Sequence, residues 1–236
     1  MPDTHFDILK ILSTGAKALG AGTESESRWE IPTIHPDPID LAVGMPVPEG
    51  IPMDSMADHI SQVLCSGRYS EMEYEYGRGK ADLRELLNDS IHGFTSLPQT
   101  PDNFILFNGS SGCMESFCAT FIDPGDIVLV EGPSFSGTVE TILKYQGRII
   151  EIPLSEEGVS VEVIENIVQN SLKNGDVVKA IYTIDDFHNP TGLTMSESNR
   201  RAIGQLALDN GIMILEDSTY SGLFFDESPP PDIYAL

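Results

Sequence analysis

The stretch VVKAIYTIDDFHNPTG, residues 177–192, joins an apolar run of strand length to two aspartates, a Phe-His pair and Asn189-Pro190-Thr191-Gly192. Eight residues rich in β-branched side chains, closed by turn formers, predict a buried strand over 177–184. Asn-Pro-x-Gly is ordinary turn chemistry, so the loop after the strand reads first as a plain turn. The same alternation extends in both directions. Downstream, SESNRRAIGQLALDNG (196–211) predicts a capped helix, and IMILED (212–217) a further strand. Upstream, VEVIENIVQNSLK (161–173) has helical periodicity and stops near Asn174-Gly175, RIIEIPL (148–154) reads as a strand and 135–146 as a helix. IVLVEG (127–132) and FILF (104–107) read as strands, with a helix from Cys113 that Pro124-Gly125 breaks. Strands alternating with helices of this length imply βαβ units: an α/β fold with a mostly parallel sheet flanked by helices on both faces.

The first hundred residues are less regular. Residues 54–67 and 80–93 read as helices, the second with Leu83, Leu86, Leu87 and Ile91 at helical spacing. Residues 22–52 are charged and then proline-rich, as in an extended arm, and the N-terminus predicts an amphipathic helix with Phe6, Leu9 and Leu12 on one side. The formal charge is −24, from 13 basic and 37 acidic residues. Such a surface repels phosphate backbones and anionic lipid, so neither nucleic acid nor a membrane surface is an expected partner. A few backbone N–H groups can still hold a small anion locally. No apolar run approaches the roughly 18 residues of a membrane span, and the N-terminus lacks signal-peptide character, so a cytoplasmic location is expected. Cys65, Cys113 and Cys118 lack metal-ligand spacing and read as buried free thiols, and the five histidines are scattered, which gives no metal site.

In open α/β sheets ligands bind beyond the carboxyl ends of the strands. Four unusual segments fall there: Asn108–Gly112, Gly132–Phe135, Asp185–Gly192 and Asp217–Tyr220. Each has two readings. Gly109-Ser110-Ser111-Gly112 is a phosphate cradle at a helix start or a simple N-cap. Asp217 is a loop acid or the partner of a buried cationic ring nitrogen, and Tyr220 a half-buried tyrosine or a neighbour of that site. Phe135 is a core aromatic or a stacking platform for an aromatic ligand. His188 reads as structural. The coincidence of these segments on one sheet edge favours a shared site over four unrelated turns.

Taken together these residues resemble the fold-type I pyridoxal-phosphate (PLP) enzymes, specifically class I/II aminotransferases of the aspartate and aminoadipate/aromatic type. The resemblance runs from about Leu41 to about Phe225. It rests on HNPTG (188–192), ILEDSTYSGL (214–223), ILFNGSSGCMES (105–116), YEYGRGKADLR (74–84) and LAVGMPVPEGIP (41–52). It implies the PLP-dependent transferase-like fold, with 1–50 as an arm or small-domain segment and 51–236 as the PLP-binding large domain. It also implies transfer of an amino group between an amino acid and a 2-oxo acid. Carried over, Asp217 holds the pyridinium nitrogen protonated, and Asn189 and Tyr220 hydrogen-bond the ring's 3-oxygen. Ser110 and Ser111 bind the phosphate and Phe135 stacks on the ring. Tyr74 reaches the phosphate of the neighbouring subunit's cofactor, which implies a homodimer, and Gly44 lies near the substrate carboxylate.

The family's Schiff-base lysine lies a few tens of residues beyond the strand-end Asp and Tyr. None of Lys10, Lys17, Lys80, Lys144, Lys173 and Lys179 matches it by motif. The stretch thus looks like the N-terminal half of an aminotransferase, incomplete at its C-terminal side and expected to be inactive alone, with apolar surface exposed where the sheet is unfinished. Lyase or decarboxylase chemistry shares the same cradle. The alternative from another class is a non-catalytic remnant of the fold that serves as a binding module. A DNA-binding regulator built on this fold is disfavoured, since residues 1–50 are too short and acidic for a winged-helix domain.

Overall fold

The structure is a computed structural model that describes residues 11–20, 44, 46–75, 77–91, 100–156 and 158–236. These fall into two compact units, one within Met1–Gly22 and Arg78–Leu236, the other within Thr23–Gly77. Seven α-helices are described: α1 (Thr14–Ala18), α2 (Met53–Cys65), α3 (Ala81–Ile91), α4 (Gly109–Phe121), α5 (Ser136–Lys144), α6 (Val161–Asn174) and α7 (Glu197–Asn210). The strands are β1 (Ile127–Gly132), β2 (Arg148–Ser155), β3 (Gly158–Val159), β4 (Val178–Thr183) and β5 (Met213–Glu216). The expected helix around Phe6 and Leu9 and most of the proline-rich arm lie outside the described residues.

The larger unit is built on a sheet of order β3-β2-β1-β4-β5. β2, β1, β4 and β5 run parallel, and only the two-residue β3 is antiparallel. Ile127, Val128, Leu129 and Val130 are all buried because both faces of β1 are covered. Successive side chains alternate between the faces. Ile127, Leu129 and Ile181 join Ile164 and Val168 of α6 and Ile203 and Leu206 of α7 in one core. Val128, Val130, Ala180 and Tyr182 join Met114 and Cys118 of α4 and Ile142 of α5 in the other. Each fully buried Ile, Leu or Val stabilises by about 1.5–3 kcal/mol relative to exposure. The helix ends follow the local chemistry. Ser160 and Ser196 accept hydrogen bonds from Val163 N and Asn199 N, and Gly175 and Gly211 close α6 and α7 in left-handed geometry.

Three expectations are corrected. FILF (104–107) is not a strand; Leu106 N donates to Arg78 O outside the sheet. A four-residue apolar run carries no periodicity that separates a strand from a loop, and here Ile105 and Phe107 are exposed. α4 starts at Gly109 rather than Cys113, so Ser110 and Ser111 form its first turn. Of the three thiols only Cys118 is buried, while Cys65 and Cys113 are exposed. The outer edge of β5 carries no partner strand among the described residues. An apolar groove lined by Ala207, Leu208, Ile212, Ile214, Ile233 and Tyr234 lies beside that edge. The smaller unit contains α2, whose Met53, Met56, Ile60 and Leu64 are exposed.

One buried charge cluster fastens the loop after β4. Arg200 of α7 is fully buried and pairs with Asp185 and Asp186. Its Nε donates to Met195 O, its Nη2 to Asp185 O, and its Nη1 to the Pro230 and Pro231 carbonyls. Glu216 accepts from Ile233 N and Tyr234 N. Burial first, and then the neighbouring Glu216 carboxyl, push the Asp185 carboxyl up to about 8, against the opposing pull of Arg200. Asp186 and Asp232 are also raised, burial again being the main cause. The folded protein therefore holds a proton on Asp185 at pH values where an unfolded Asp, with its ordinary value of about 3.9, has lost it. Stability from this site is full below about pH 4 and falls as pH rises to about 8. Urea midpoints are expected to decline across that window, and Asp185→Asn to flatten the decline. Equal slopes in the two proteins would contradict the assignment.

Candidate functional site

The parallel register brings the segments after β1, β4 and β5 to one end of the sheet. β1 ends at Gly132, β4 at Thr183 and β5 at Glu216, and Asp217 N donates to Thr183 O just past the last pair. Gly132-Pro133 and Asn189-Pro190 are both cis peptides. Ser110 and Ser111 of α4, Phe135, Gly137, Thr138 and Thr141 around α5, and Asp217 line a single cleft. These residues are distant in sequence, and the βαβ winding places them together.

Asp217 is held from both sides. Its Oδ1 accepts from Thr219 N at 3.3 Å and Thr219 Oγ1 at 2.6 Å, and its Oδ2 from Tyr182 OH at 2.8 Å. The Cys113 thiol is pushed up, first by partial burial and then by the negative charge of Asp217, so Cys113 shares its electrostatic surroundings. Phe135 is half-buried and precedes α5. A Cβ on Gly137 would stand 2.6 Å from the Phe135 ring, so only glycine lets that ring lie against the helix start. The Ser134 hydroxyl beside it is buried and without a hydrogen-bond partner.

Asn189 Nδ2 donates to Tyr220 OH at 3.4 Å, so these two side chains meet directly. Their loop is tied down tightly. His188 N donates to Leu193 O, Gly192 N donates to His188 O, and Gly192 has a φ of +74° that favours glycine. Thr191 Oγ1 lies 3.0 Å from His188 Nδ1, and His188 Nε2 lies 3.3 Å from Glu131 Oε2, both latter side chains being buried. Glu131 also accepts from Thr183 Oγ1 and Ile184 N at 2.7 Å each. These contacts tie His188 to its own loop and to β1.

Glu131 and Tyr182 were not evident from sequence, because each is a polar group inside an apolar strand run. The one available signal was a carboxylate or phenol that must find a partner when a strand is buried on both faces. Tyr74 and Gly44 belong to the smaller unit and are exposed there, Tyr74 at 90%.

Comparison with known proteins gives a consistent answer. The family model of aminotransferase class I and II matches residues 36–236. Aromatic-amino-acid aminotransferase 1 of Thermococcus litoralis is 31% identical over 199 residues, 84% of this chain and 48% of that one. Among solved structures, the multiple substrate aminotransferase of Thermococcus profundus has a TM-score of 0.83 at 25% identity, covering 98% of this chain and 57% of that one. The Pyrococcus horikoshii kynurenine aminotransferase, solved with PMP, KYN and KYA, has a TM-score of 0.72 at 30% identity, with 83% and 48% covered. The chain spans about half the length of the curated relatives it matches. No described helix is long and apolar enough to cross a membrane. The fold is that of the PLP-dependent transferases, incomplete here, and pyridoxal phosphate is the cofactor of the group. The chain belongs to the class I and II aminotransferases.

Proposed function

We propose that the cleft at the sheet end is the PLP cradle of an aminotransferase that moves an amino group between an amino acid and a 2-oxo acid. The observation that supports this most is the set of donors and acceptors on one cleft. Ser110, Ser111, Phe135 and Asp217 all line it, which combines hydroxyl donors, an aromatic ring and a carboxylate. The residues fit the group. α4 has 13 residues, and its N-terminus has no side-chain cap, which leaves first-turn N–H groups for a phosphate. The unpartnered Ser134 hydroxyl adds a donor in the segment between β1 and Phe135.

In this reading Ser110 and Ser111 bind the phosphate, and Phe135 packs on one ring face and excludes water there. Asp217 accepts the hydrogen bond of a protonated ring nitrogen. Asn189 and Tyr220, already paired, hydrogen-bond the ring's 3-oxygen. When bound, PLP supplies an electron sink for charge that develops at the substrate α-carbon. Gly44 near the substrate carboxylate, and Tyr74 reaching the phosphate of a second subunit in a homodimer, complete the reading. The resemblance supports both assignments, and the exposure of Tyr74 agrees with a contact to a second subunit.

The cleft-lining residues include no lysine. Lys144 pairs with Glu115, and Lys179 with Asp126. Borohydride reduction of the 236-residue chain after addition of PLP is therefore expected to trap no stoichiometric adduct, whereas the full-length protein is expected to bind PLP and transaminate. One uniquely modified lysine among the six would contradict the first expectation. Full-length protein that binds PLP but transfers no amino group across a panel of amino and 2-oxo acids would instead favour a binding module.

A further inference from the structure

We propose that Tyr182 is a positioning residue for Asp217, fixing through its phenol O–H the direction in which the Asp217 carboxylate meets the cofactor ring. This rests on the cradle reading above. Tyr182 of β4 stands opposite Leu215 of β5. Side chains alternate along a strand, so Leu215 and Asp217 share one face, and Tyr182 faces the same way. The strand therefore delivers the phenol to the carboxylate one step beyond the ladder, where the 2.8 Å hydrogen bond forms.

The donor count shows why this bond matters. A carboxylate offers about four lone-pair sites. On Asp217, Thr219 supplies two donors to Oδ1, and Tyr182 one to Oδ2. The site left for a ring N–H is on Oδ2, the oxygen that Tyr182 orients. The two anchors differ in rigidity. Thr219 sits exposed in a turn, whereas Tyr182 is 1% exposed in β4, between β1 and β5. The buried Thr138 side chain of α5 lies near the phenol. Burial, chiefly, raises the phenol far above its ordinary range, so Tyr182 remains a donor at every working pH. A donor of this kind fixes which lone pair of Oδ2 stays open for the ring N–H.

A phenol that merely satisfies itself on the nearest acceptor would leave the same bond, and a double-mutant cycle separates the two cases. PLP dissociation constants are measured for the full-length protein, Tyr182→Phe, Asp217→Ala and the double variant. The proposal expects Tyr182→Phe to weaken PLP about tenfold, the scale of one hydrogen bond to a charged group. In the Asp217→Ala background the same change is expected to cost less than about twofold, since the group it acts through is gone. An equal loss in both backgrounds, or no loss in the wild type, overturns the role of Tyr182. Should Tyr182→Phe not fold, Thr138→Val provides the second probe, with about a two- to threefold loss expected only where Asp217 is present. An equal loss in both backgrounds, or none where Asp217 is present, overturns the proposal here too. Asp217→Ala that binds PLP as tightly as wild type overturns the cradle reading itself. Weak binding by Asp217→Ala with wild-type binding by Tyr182→Phe overturns the present proposal alone.

Discussion

Replacing Arg200 by alanine is expected to destabilise the protein by about 3–5 kcal/mol, the cost of removing one partner from a buried ion pair. The guanidinium has five N–H groups. All face acceptors: Met195 O for Nε, Asp185 O and Asp186 Oδ1 for Nη2, and the Pro230 and Pro231 carbonyls with Asp185 Oδ2 for Nη1. Truncation leaves Asp186 without its cation and strips donors from carbonyls on three segments. It also frees the loop after β4 from α7 and from the chain around Pro230. Arg200→Lys keeps the charge but loses the forked geometry, so an intermediate loss is expected. Urea unfolding of the three proteins measures the order. A loss below about 1 kcal/mol for alanine would mean that the cluster is relaxed by protonation or water and does not anchor the loop.

The second large effect concerns ligand binding. Asp217→Ala is expected to weaken PLP binding about a hundredfold, or about 2.7 kcal/mol, because a charge-assisted hydrogen bond and the ion-pair attraction to a protonated ring are lost together. The carboxylate is preorganised: three protein donors hold it. Little ordering remains to be done on binding, so the interaction is realised almost in full. Asp217→Asn retains hydrogen-bonding groups but not the charge, and is expected to fall between alanine and wild type. Fluorescence or absorbance titration of the full-length protein with PLP gives the values.

Much of this architecture is legible in the residues, for physical reasons that differ by element. β1 and β4 are readable because a strand covered on both faces must be nearly all apolar, as IVLV and AIYTI are. The ends of α6 and α7 are readable because Ser160 and Ser196 cap one terminus and Gly175 and Gly211 the other. FILF fails for the opposite reason: four apolar residues satisfy a strand, a helix turn or a loop equally. β3 has two residues and no pattern to detect.

The site divides in the same way. Phe135 and Asp217 are visible as candidates because they follow apolar strand runs where a sheet presents its ligands, and Ser110 and Ser111 because small hydroxyl residues open a helix, although the run before them is not a strand. Glu131 and Tyr182 are hidden because they sit within apolar strand runs, and only the register between β4 and β5 shows what Tyr182 touches. Arg200 reads as one more polar residue of a surface helix, and its burial emerges only when the loop after β4 and the chain near Pro230 close over it.

The central claim is that Asp217 at the end of β5 holds the cofactor's ring nitrogen in its protonated form. Its most direct test is the nitrogen-15 chemical shift of PLP labelled at the ring nitrogen and bound to the full-length protein. The account predicts a shift characteristic of a protonated pyridinium in the wild type, moving toward that of the neutral ring in Asp217→Ala. A neutral-ring shift in the wild type, or the same shift in both proteins, would contradict it.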